Sequence, residues 1–352
     1  MLEFIAILFV FSTIILIHEF GHFIMAKKCG VRVERFSLGF GPELLGVKKG
    51  DTRYSISLIL FGGYVKMAGD DPAGGLTGKS WEYLSQPVSK RLSIVAAGPV
   101  LNYILAFLVF FLVFVIGSPT PTSRIGDLLE DYPARAHNLM QGDKIIAVDG
   151  KEVKYWNGLT EIIHNSLEGS LLLTIQREDR FFKVRIFPKI EEIKNIWGQP
   201  VKTAFIGIRP SDEIAMLRYN PFVAFYKAGE RLFLLSALTL RGLGAVVTGQ
   251  LSFRESVAGP IKIAAIIGKT AKLGVVYLFS LMGVISMALA IFNILPIPVL
   301  DGGHVVFLIL EKIRKKPLRL KTQESIQNIA MTVLIILALF VSYNDIMGLM
   351  GK

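Results

Sequence analysis

Five residues near the N-terminus, HEFGH at 18–22, carry two imidazoles and a carboxylate at spacings that suit a metal ion. On a helix, residues four apart lie on one face, so His18 and His22 can reach the same ion while Glu19 projects beside it. Zinc suits this site because it accepts imidazole nitrogen and tolerates three protein ligands plus one water. Zinc would polarise a scissile carbonyl and activate its water, with Glu19 as the base. The pattern predicts a metal-dependent hydrolase.

A third ligand is expected near the other end of the chain, in NILPIPVLDGGH at 293–304. Asp301 is the favoured donor, and His304 is the alternative in the same segment. Two prolines interrupt the helical hydrogen bonding before Asp301, and two glycines after it allow the chain to turn next to an ion. Unwound backbone at membrane depth must be buried in protein or line a wet cavity. This acidic segment is therefore a natural partner for the two histidines.

The composition places these residues in a membrane protein. Of 352 residues, 52% are hydrophobic and 19% are charged, whereas charged residues make up about a quarter of a soluble domain. The single cysteine, Cys29, excludes an internal disulfide and a Cys-based zinc finger. Spanning helices need about 20 mostly apolar residues. The stretches that qualify are 4–26, 92–116, 273–300 and 325–344.

Basic residues set the expected orientation. Lys and Arg are concentrated in 27–91 and 311–321, which predicts that both segments are cytoplasmic and that 117–272 is translocated. The first and third spans then run in the same direction and end in one leaflet. The net charge of +11 fits these inside loops better than nucleic-acid binding. The apolar segment 220–243, which four charges interrupt, is predicted to lie on the membrane surface, with a crossing helix as the alternative.

Residues 52–67 are predicted to form a strand pair, because apolar and polar residues alternate and Gly62–Gly63 offers a turn. One interpretation is a small surface hairpin. The other is an exposed edge strand at 52–58 that binds an unwound substrate segment by β-addition. The candidate substrate-binding residues on this second interpretation are Tyr54, Ile56, Leu58, Gly63 and Tyr64.

The translocated segment contains PARAHNLMQGDKIIAVDGKEV at 133–153, which resembles the core of a PDZ domain. Strands are expected at 145–148, 171–176 and 181–187, and a helix at 161–166 beside a peptide groove. Such domains bind peptides by β-augmentation. Two roles stay open, a peptide-capturing groove and a steric filter that excludes substrates with bulky external domains.

The expected fold class is an α-helical polytopic membrane protein with four transmembrane helices, a membrane-associated β-hairpin region and one inserted PDZ (α+β) domain. In chain order, the expected parts are a first span, 1–26; a cytoplasmic segment with the β-loop, 27–91; a second span, 92–116; a periplasmic PDZ domain, 117–190; a β-extension and amphipathic helix, 191–272; a third span with the LDG motif, 273–304; a cytoplasmic loop, 305–324; a fourth span, 325–344; and a tail, 345–352.

Several motifs together resemble the site-2 protease family of intramembrane zinc metalloproteases. The matching segments are HEFGH with AKKCGVRVERFSLGFGP (26–42), GGYVKM (62–67), AAGPVLNYILA (96–106), and the run from SVAGP (256–260) to NILPIPVLDGGH. The resemblance implies Zn²⁺ bound by His18, His22 and Asp301, Glu19 as the catalytic base, and Asn293 as a residue that holds the substrate backbone. It also implies single-span membrane substrates that a site-1 protease has already shortened, such as an anti-sigma factor, or remnant signal peptides. The implied location is the bacterial inner membrane.

Two rival classes remain. One is a membrane transporter or redox protein that uses the two histidines as ion or haem ligands. It explains neither Glu19 between the histidines nor a peptide-binding domain. The other is a catalytically silent membrane scaffold whose working part is the PDZ domain. The intact HEFGH and LDG motifs argue against it.

Overall fold

The computed structural model describes residues 1–71, 77–195, 198–252 and 258–349. The chain divides into two compact units, one made of Met1–Val113 with Pro221–Lys352 and the other of Phe114–Asn220. Two residues of SVAGP, Ser256 and Val257, and the last three of the predicted tail lie outside the described residues.

Helices dominate the first unit and strands the second. In chain order, the helices are α1 (Leu2–Lys28), α2 (Val88–Ile116), α3 (Pro133–Ala136), α4 (Trp156–Asn165), α5 (Pro221–Val247), α6 (Pro260–Leu273), α7 (Val275–Ile294), α8 (Asp301–Arg314) and α9 (Leu320–Leu349). The strands are β1 (Val33–Lys49), β2 (Thr52–Met67), β3 (Ser118–Pro121), β4 (Ile125–Leu128), β5 (Lys144–Val148), β6 (Lys151–Glu152), β7 (Leu171–Arg177), β8 (Arg180–Ile186), β9 (Lys189–Lys194), β10 (Pro200–Phe205), β11 (Ile208–Pro210) and β12 (Ile214–Leu217).

Among the described residues, four helices are long and apolar enough to cross a membrane, namely α1, α2, α7 and α9. The predicted set of four spans is confirmed. The third span differs in its bounds, because α7 ends at Ile294 and a separate helix begins at Asp301. Prolines at 296 and 298 cannot donate helical hydrogen bonds, which accounts for the break. The predicted loop 305–324 is largely helical. The prediction missed this because a short amphipathic helix with a basic last turn has the same composition as a basic loop.

The core of the first unit lies where α1 packs against α2, α6 and α7. Small and branched apolar side chains of α1 interlock there with one residue from each neighbouring helix. The buried members are Ala6, Val10, Ile14, Val109, Ile267 and Met282. The Phe9 ring of α1 also packs on Phe279 of α7, with ring centroids 6.5 Å apart. This packing fixes α1 beside α7, the helix that leads into Asp301.

Strands β1 and β2 fold into a sheet whose order differs from the predicted strand pair. Residues 35–38 have partners on both sides, 53–56 and 63–66, and residues 45–48 pair with 53–56 from the other side. The predicted edge strand at 52–58 is therefore wrong, because its residues lie inside the sheet. The chain turns at Gly50, and residues 62–63 continue β2 instead of forming the turn. Alternation shows that a segment is a strand but carries no information about which neighbours it has.

An acidic residue, Glu43, ties three segments of this sheet together. Arg53 donates to its carboxylate through Nε at 2.9 Å and through Nη2, and Arg35 donates through Nη2. The hydrogen bond from Arg53, aided by Arg35, lowers the pKa of Glu43 to about 2. Because folding lowers this pKa, the ionised carboxylate stabilises the fold at pH values above about 4.5. That contribution is lost only as the pH falls towards 2. The ion cluster therefore stays charged at neutral pH.

Helix α5 contacts α2 through three side chains. Phe225 packs on Phe107 with centroids 5.0 Å apart, Arg231 lies over the Phe110 ring at 5.2 Å, and Ser236 meets the Tyr103 hydroxyl at 2.9 Å. Residues 225, 231 and 236 thus all contact the part of α2 between 103 and 110. Among the charged side chains of this helix, Arg231 lies against an apolar ring of α2. The membrane-surface position of 220–243 stays a prediction.

The second unit is an α+β domain. Its sheet has the order β6-β5-β7-β8, and α4 packs on it over a continuous apolar core. Short antiparallel pairs, β3 with β12 and β4 with β11, join the first and last strands of the unit. Buried Asp143 binds Arg177 at 2.7 Å and closes the turn before β5. The strands and the helix expected from the sequence are present, and their identity as a PDZ domain stays a prediction.

Candidate metal centre

Helix α1 carries His18 and His22 one turn apart, so both rings leave the same face. Both residues are only 9% exposed. Their rings are nearly perpendicular, with centroids 4.8 Å apart. This arrangement points the two Nε2 atoms at one place, with 3.2 Å between them.

Asp301 reaches the same place from the first turn of α8. A Cβ on the next residue, Gly302, would lie 2.2 Å from the carbonyl oxygens of Ile294 and Leu295, and one on Gly303 would lie 2.3 Å from that of Ile297. Only residues without a side chain let α8 fold back this closely on the end of α7. The two glycines of LDGG therefore place the carboxylate against α1.

The donor atoms have the spacing of a zinc site. Oδ2 of Asp301 lies 3.1 Å from Nε2 of His18 and 3.6 Å from Nε2 of His22. In a tetrahedral zinc site with bonds of about 2.0–2.1 Å, neighbouring ligand atoms are about 3.4 Å apart. Although the ring nitrogens are near, buried Oδ2 accepts no hydrogen bond of acceptable angle from the described residues. Two imidazole nitrogens and one carboxylate oxygen at these distances fit zinc.

Helix α2 forms the back wall of the centre. A Cβ on Gly98 would lie 2.3 Å from Nε2 of His22 and 2.8 Å from Cε1 of His18, so α2 touches the imidazoles through bare backbone. In return, Gly21 of HEFGH packs on the backbone of Ala97. Nδ1 of His22 donates to the carbonyl oxygen of Ile94 at 2.9 Å. That bond fixes the ring and leaves its Nε2 free to bind a metal.

Glu19 lies beside the histidines and faces the sheet. A Cβ on Gly63 would come within 3.3 Å of its Cγ, and the backbone amide of Val65 faces its carboxylate. Residues 63–67 form the sheet edge next to α1, since they pair only with 33–38 among the described residues. The edge of the sheet thus runs past the candidate base.

The structure separates the predicted substrate-binding residues into two groups. Gly63 and Tyr64 lie on the edge beside Glu19. Tyr54 lies inside the sheet against the rings of Phe23 and Phe36. Ile56 and Leu58 are exposed at the far end of the sheet. Their proposed role as an edge strand is not compatible with these positions.

The other predicted residues near the site are Asn293 and His304. Asn293 lies half-buried in the last turn of α7, eight residues before Asp301. The ring of His304 faces Phe307, and His304 is outside the group that could share an ion. Of the two candidate third ligands, the structure brings only Asp301 to the histidines.

An ion pair that the sequence did not reveal holds α8 against α2. Arg91 donates to both oxygens of Glu311, through Nη1 at 3.1 Å and through Nη2, and the side chains are 9% and 16% exposed. Charge-assisted pairs of this bidentate kind are directional as well as strong. Because α8 begins with Asp301, the pair connects the third donor to the helix behind the histidines.

Two histidines and an adjacent glutamate on an apolar spanning helix, with a carboxylate from a second helix, define a membrane-bound metallopeptidase class. A family model described as peptidase family M50 matches residues 6–337, and the chain belongs to that family. Proteins of Rickettsia conorii and Agrobacterium fabrum that carry the name zinc metalloprotease are 36% and 32% identical to it, over 99% and 97% of this chain and 99% and 95% of theirs. The regulator of sigma-E protease RseP of Escherichia coli is 30% identical over 95% of this chain and 96% of its own. The protein is therefore a zinc metalloprotease, and the predicted family, enzyme class and cofactor are confirmed.

Proposed function

We propose that this protein cleaves the transmembrane segment of single-span membrane proteins inside the lipid bilayer. The observation that carries the proposal is the position of the histidines in an apolar spanning helix. His18 precedes the end of α1 at Lys28 by ten residues, which is about 15 Å of helix. A metal centre at that depth lies within the bilayer, where peptide bonds of spanning segments are found.

Each residue has a distinct role in this proposal. His18, His22 and Asp301 hold zinc, which polarises the scissile carbonyl and activates the attacking water when bound. Glu19 accepts a proton from that water and passes it to the leaving amine. Asn293 contacts the substrate backbone from the last turn of α7. The edge at 63–67, including Gly63 and Tyr64, pairs with the unwound substrate segment by β-addition.

Apolar residues of the sheet support its contact with lipid. Apolar side chains that are more than half exposed lie along two segments of the sheet, namely Leu44, Leu45, Val47, Leu58 and Ile59. Exposed apolar patches of this kind mark surfaces that face a membrane or a partner. A sheet dipped into the bilayer would meet a spanning substrate at the depth of the zinc centre.

The second unit selects substrates in this proposal. Its α+β fold and PDZ-like sequence support either peptide capture or steric exclusion of substrates with large external domains, and we favour exclusion. The proposed location is the bacterial inner membrane, with residues 114–220 in the periplasm and the zinc centre near the cytoplasmic side. The proposed partners are substrates already cut by an upstream site-1 protease, such as an anti-sigma factor, and signal-peptide remnants.

The test is co-expression of the protein with single-span candidates that have or lack their external domains. Wild type should cut the truncated candidates within their spans. Glu19→Gln should keep bound zinc and lose about 100- to 10,000-fold in rate, the range for removal of a general base. Glu324→Gln, an exposed glutamate on α9, serves as the control and should cleave normally. Cleavage by Glu19→Gln, or cuts only outside the span, would contradict the proposal.

A further inference from the structure

One stripe of α2 faces both imidazoles of the metal centre. Residues 94, 98 and 102 are four apart, so they share a helix face. Ile94 accepts a hydrogen bond from Nδ1 of His22, and Gly98 lets the backbone approach the rings. Asn102, one turn further along, lies next to the other histidine. The stripe thus places a neighbour beside Nδ1 of each imidazole, the ring nitrogen that does not face Asp301.

Asn102 is completely buried in the apolar part of α2, between 92 and 116, which contains no charged residue. Its amide nitrogen lies 3.4 Å from Nδ1 of His18, and its Oδ1 has no hydrogen-bond partner among the described residues. Its backbone oxygen accepts a hydrogen bond of 2.8 Å from the Ser286 hydroxyl of α7. This contact involves the backbone and not the side-chain amide. Because Oδ1 has no partner among the described residues, a half-turn of the amide about its last torsion breaks no hydrogen bond of that oxygen.

The proton on His18 decides which way the amide must face. A ligand imidazole needs the lone pair of Nε2, so its proton has to reside on Nδ1. An Nδ1–H group requires an acceptor, and Oδ1 of Asn102 supplies one when it takes the place of the amide nitrogen. The opposite arrangement, with the amide donating to Nδ1, would leave the proton on Nε2 and block metal binding.

We propose that Asn102 is a positioning residue for the zinc centre, whose Oδ1 accepts the Nδ1–H of His18 and so keeps Nε2 available for the metal. Nδ1–H of His22 is accepted by a backbone carbonyl, whereas Nδ1–H of His18 depends on a side chain. A modest closure from 3.4 Å to about 2.9 Å gives a normal hydrogen bond. The inference rests on the proposed zinc ligands, and it makes Asn102 the outer partner that mutation can remove.

Two substitutions distinguish an acceptor from a packing residue. Asn102→Leu keeps the number and branching of the side-chain heavy atoms and removes the acceptor, whereas Asn102→Asp keeps an acceptor oxygen and adds charge. Zinc affinity of the purified full-length apoprotein is measured by competition with a chelator. Loss of an outer-shell partner lowers metal affinity about 10- to 100-fold, so the leucine variant should bind that much more weakly. The aspartate variant should bind close to wild type, since carboxylates also serve as partners of zinc-bound histidine.

Ser286→Ala is the matched control, because it removes the neighbouring polar contact and leaves the amide in place. Its zinc affinity should equal that of wild type. Leucine binding zinc as tightly as wild type, or aspartate binding as weakly as leucine, would overturn the role of Asn102. If the leucine variant cannot be recovered folded, the aspartate variant alone decides. Wild-type protein that binds no zinc would instead refute the metal site of the proposed function.

Discussion

At the scale of single residues, the metal centre depends on a glycine as much as on its ligands. Gly98 lets α2 touch the imidazoles, and a Cβ there would overlap His22. No relaxation of a flexible side chain can relieve this overlap, because the imidazole is itself a proposed ligand. The wall behind the histidines is therefore part of the site.

Gly98→Ala should weaken zinc binding. Overpacking of this kind costs about 1–3 kcal/mol, which corresponds to roughly 5- to 150-fold in affinity. Gly229→Ala on α5 is the matched control, because its Cβ would meet only Phe107 at 3.9 Å and zinc affinity should not change. Chelator competition on both variants measures the effect. Equal affinities would show that α2 does not confine the rings.

The ligand residues could be predicted from sequence, whereas their supports could not. HEFGH places two imidazoles on one helical face through local spacing alone, and LDGG combines an acid with a turn. Asn102 is a buried amide in an apolar span, and its proximity to His18 follows only from the packing of α2 on α1. Its polarity at membrane depth was the available signal.

At the scale of elements, the Arg91–Glu311 pair positions α8 and with it Asp301. Breaking a buried pair by removing one partner costs about 3–5 kcal/mol, and the partial exposure here places the expected effect at or below the lower end. Glu311→Gln should therefore lower both the melting temperature and zinc affinity. Restoration by the exchanged pair, Arg91→Glu with Glu311→Arg, would show that the charges act together.

The control for this prediction is the exposed interhelical pair Lys272–Glu3, whose side chains are 65% and 51% exposed. Glu3→Gln should change melting temperature and zinc affinity less than Glu311→Gln, since exposed ion pairs contribute little. If both substitutions act alike, the Arg91–Glu311 pair has no special role in holding α8.

The edge at 63–67 gives a second prediction at this scale. The Val65 amide faces Glu19, so Val65→Pro removes an edge donor beside the base. Substrate pairing by β-addition needs such donors, and cleavage should fall while zinc binding is retained. Val47→Pro alters the opposite edge of the sheet and should have little effect on cleavage. Equal losses in the two variants would mean that the sheet does not pair with substrate.

The alternation in 52–58 predicts a strand but not its place in the sheet, because an interior strand and an edge strand share one local pattern. In the same way, the charges in 220–243 predict an amphipathic helix but not the helix on which it packs. Partners distant in sequence decide between such alternatives.

At the scale of the whole molecule, the second unit can be tested separately from the catalytic one. Strands β3 and β12 are the first and last strands of this unit and pair with each other. Next to them, the backbone amide of Thr122 donates to the Glu213 carbonyl oxygen at 2.9 Å. Replacing 123–211 by a short flexible linker keeps this pair intact. We expect cleavage of candidates with intact external domains to rise, while truncated candidates are cut as before. If the variant still failed to cleave the intact candidates, the proposed role of this unit as a filter would be contradicted.

The four spans could be predicted from composition because lipid demands long apolar helices. The family and the zinc cofactor could be predicted from the combination of HEFGH with NILPIPVLDGGH and the other matching segments. The distance between the motifs could not be predicted from sequence, because residues 22 and 301 are far apart in the chain and only the fold brings them together.

The central claim is a zinc ion held by His18, His22 and Asp301. Zinc K-edge X-ray absorption of the purified protein tests it directly. We expect nitrogen and oxygen ligands at about 2.0–2.1 Å with two histidines and no sulfur, and loss of the two-histidine signal in His22→Ala. A sulfur shell, fewer than two histidines in wild type, or an unchanged spectrum in His22→Ala would contradict it.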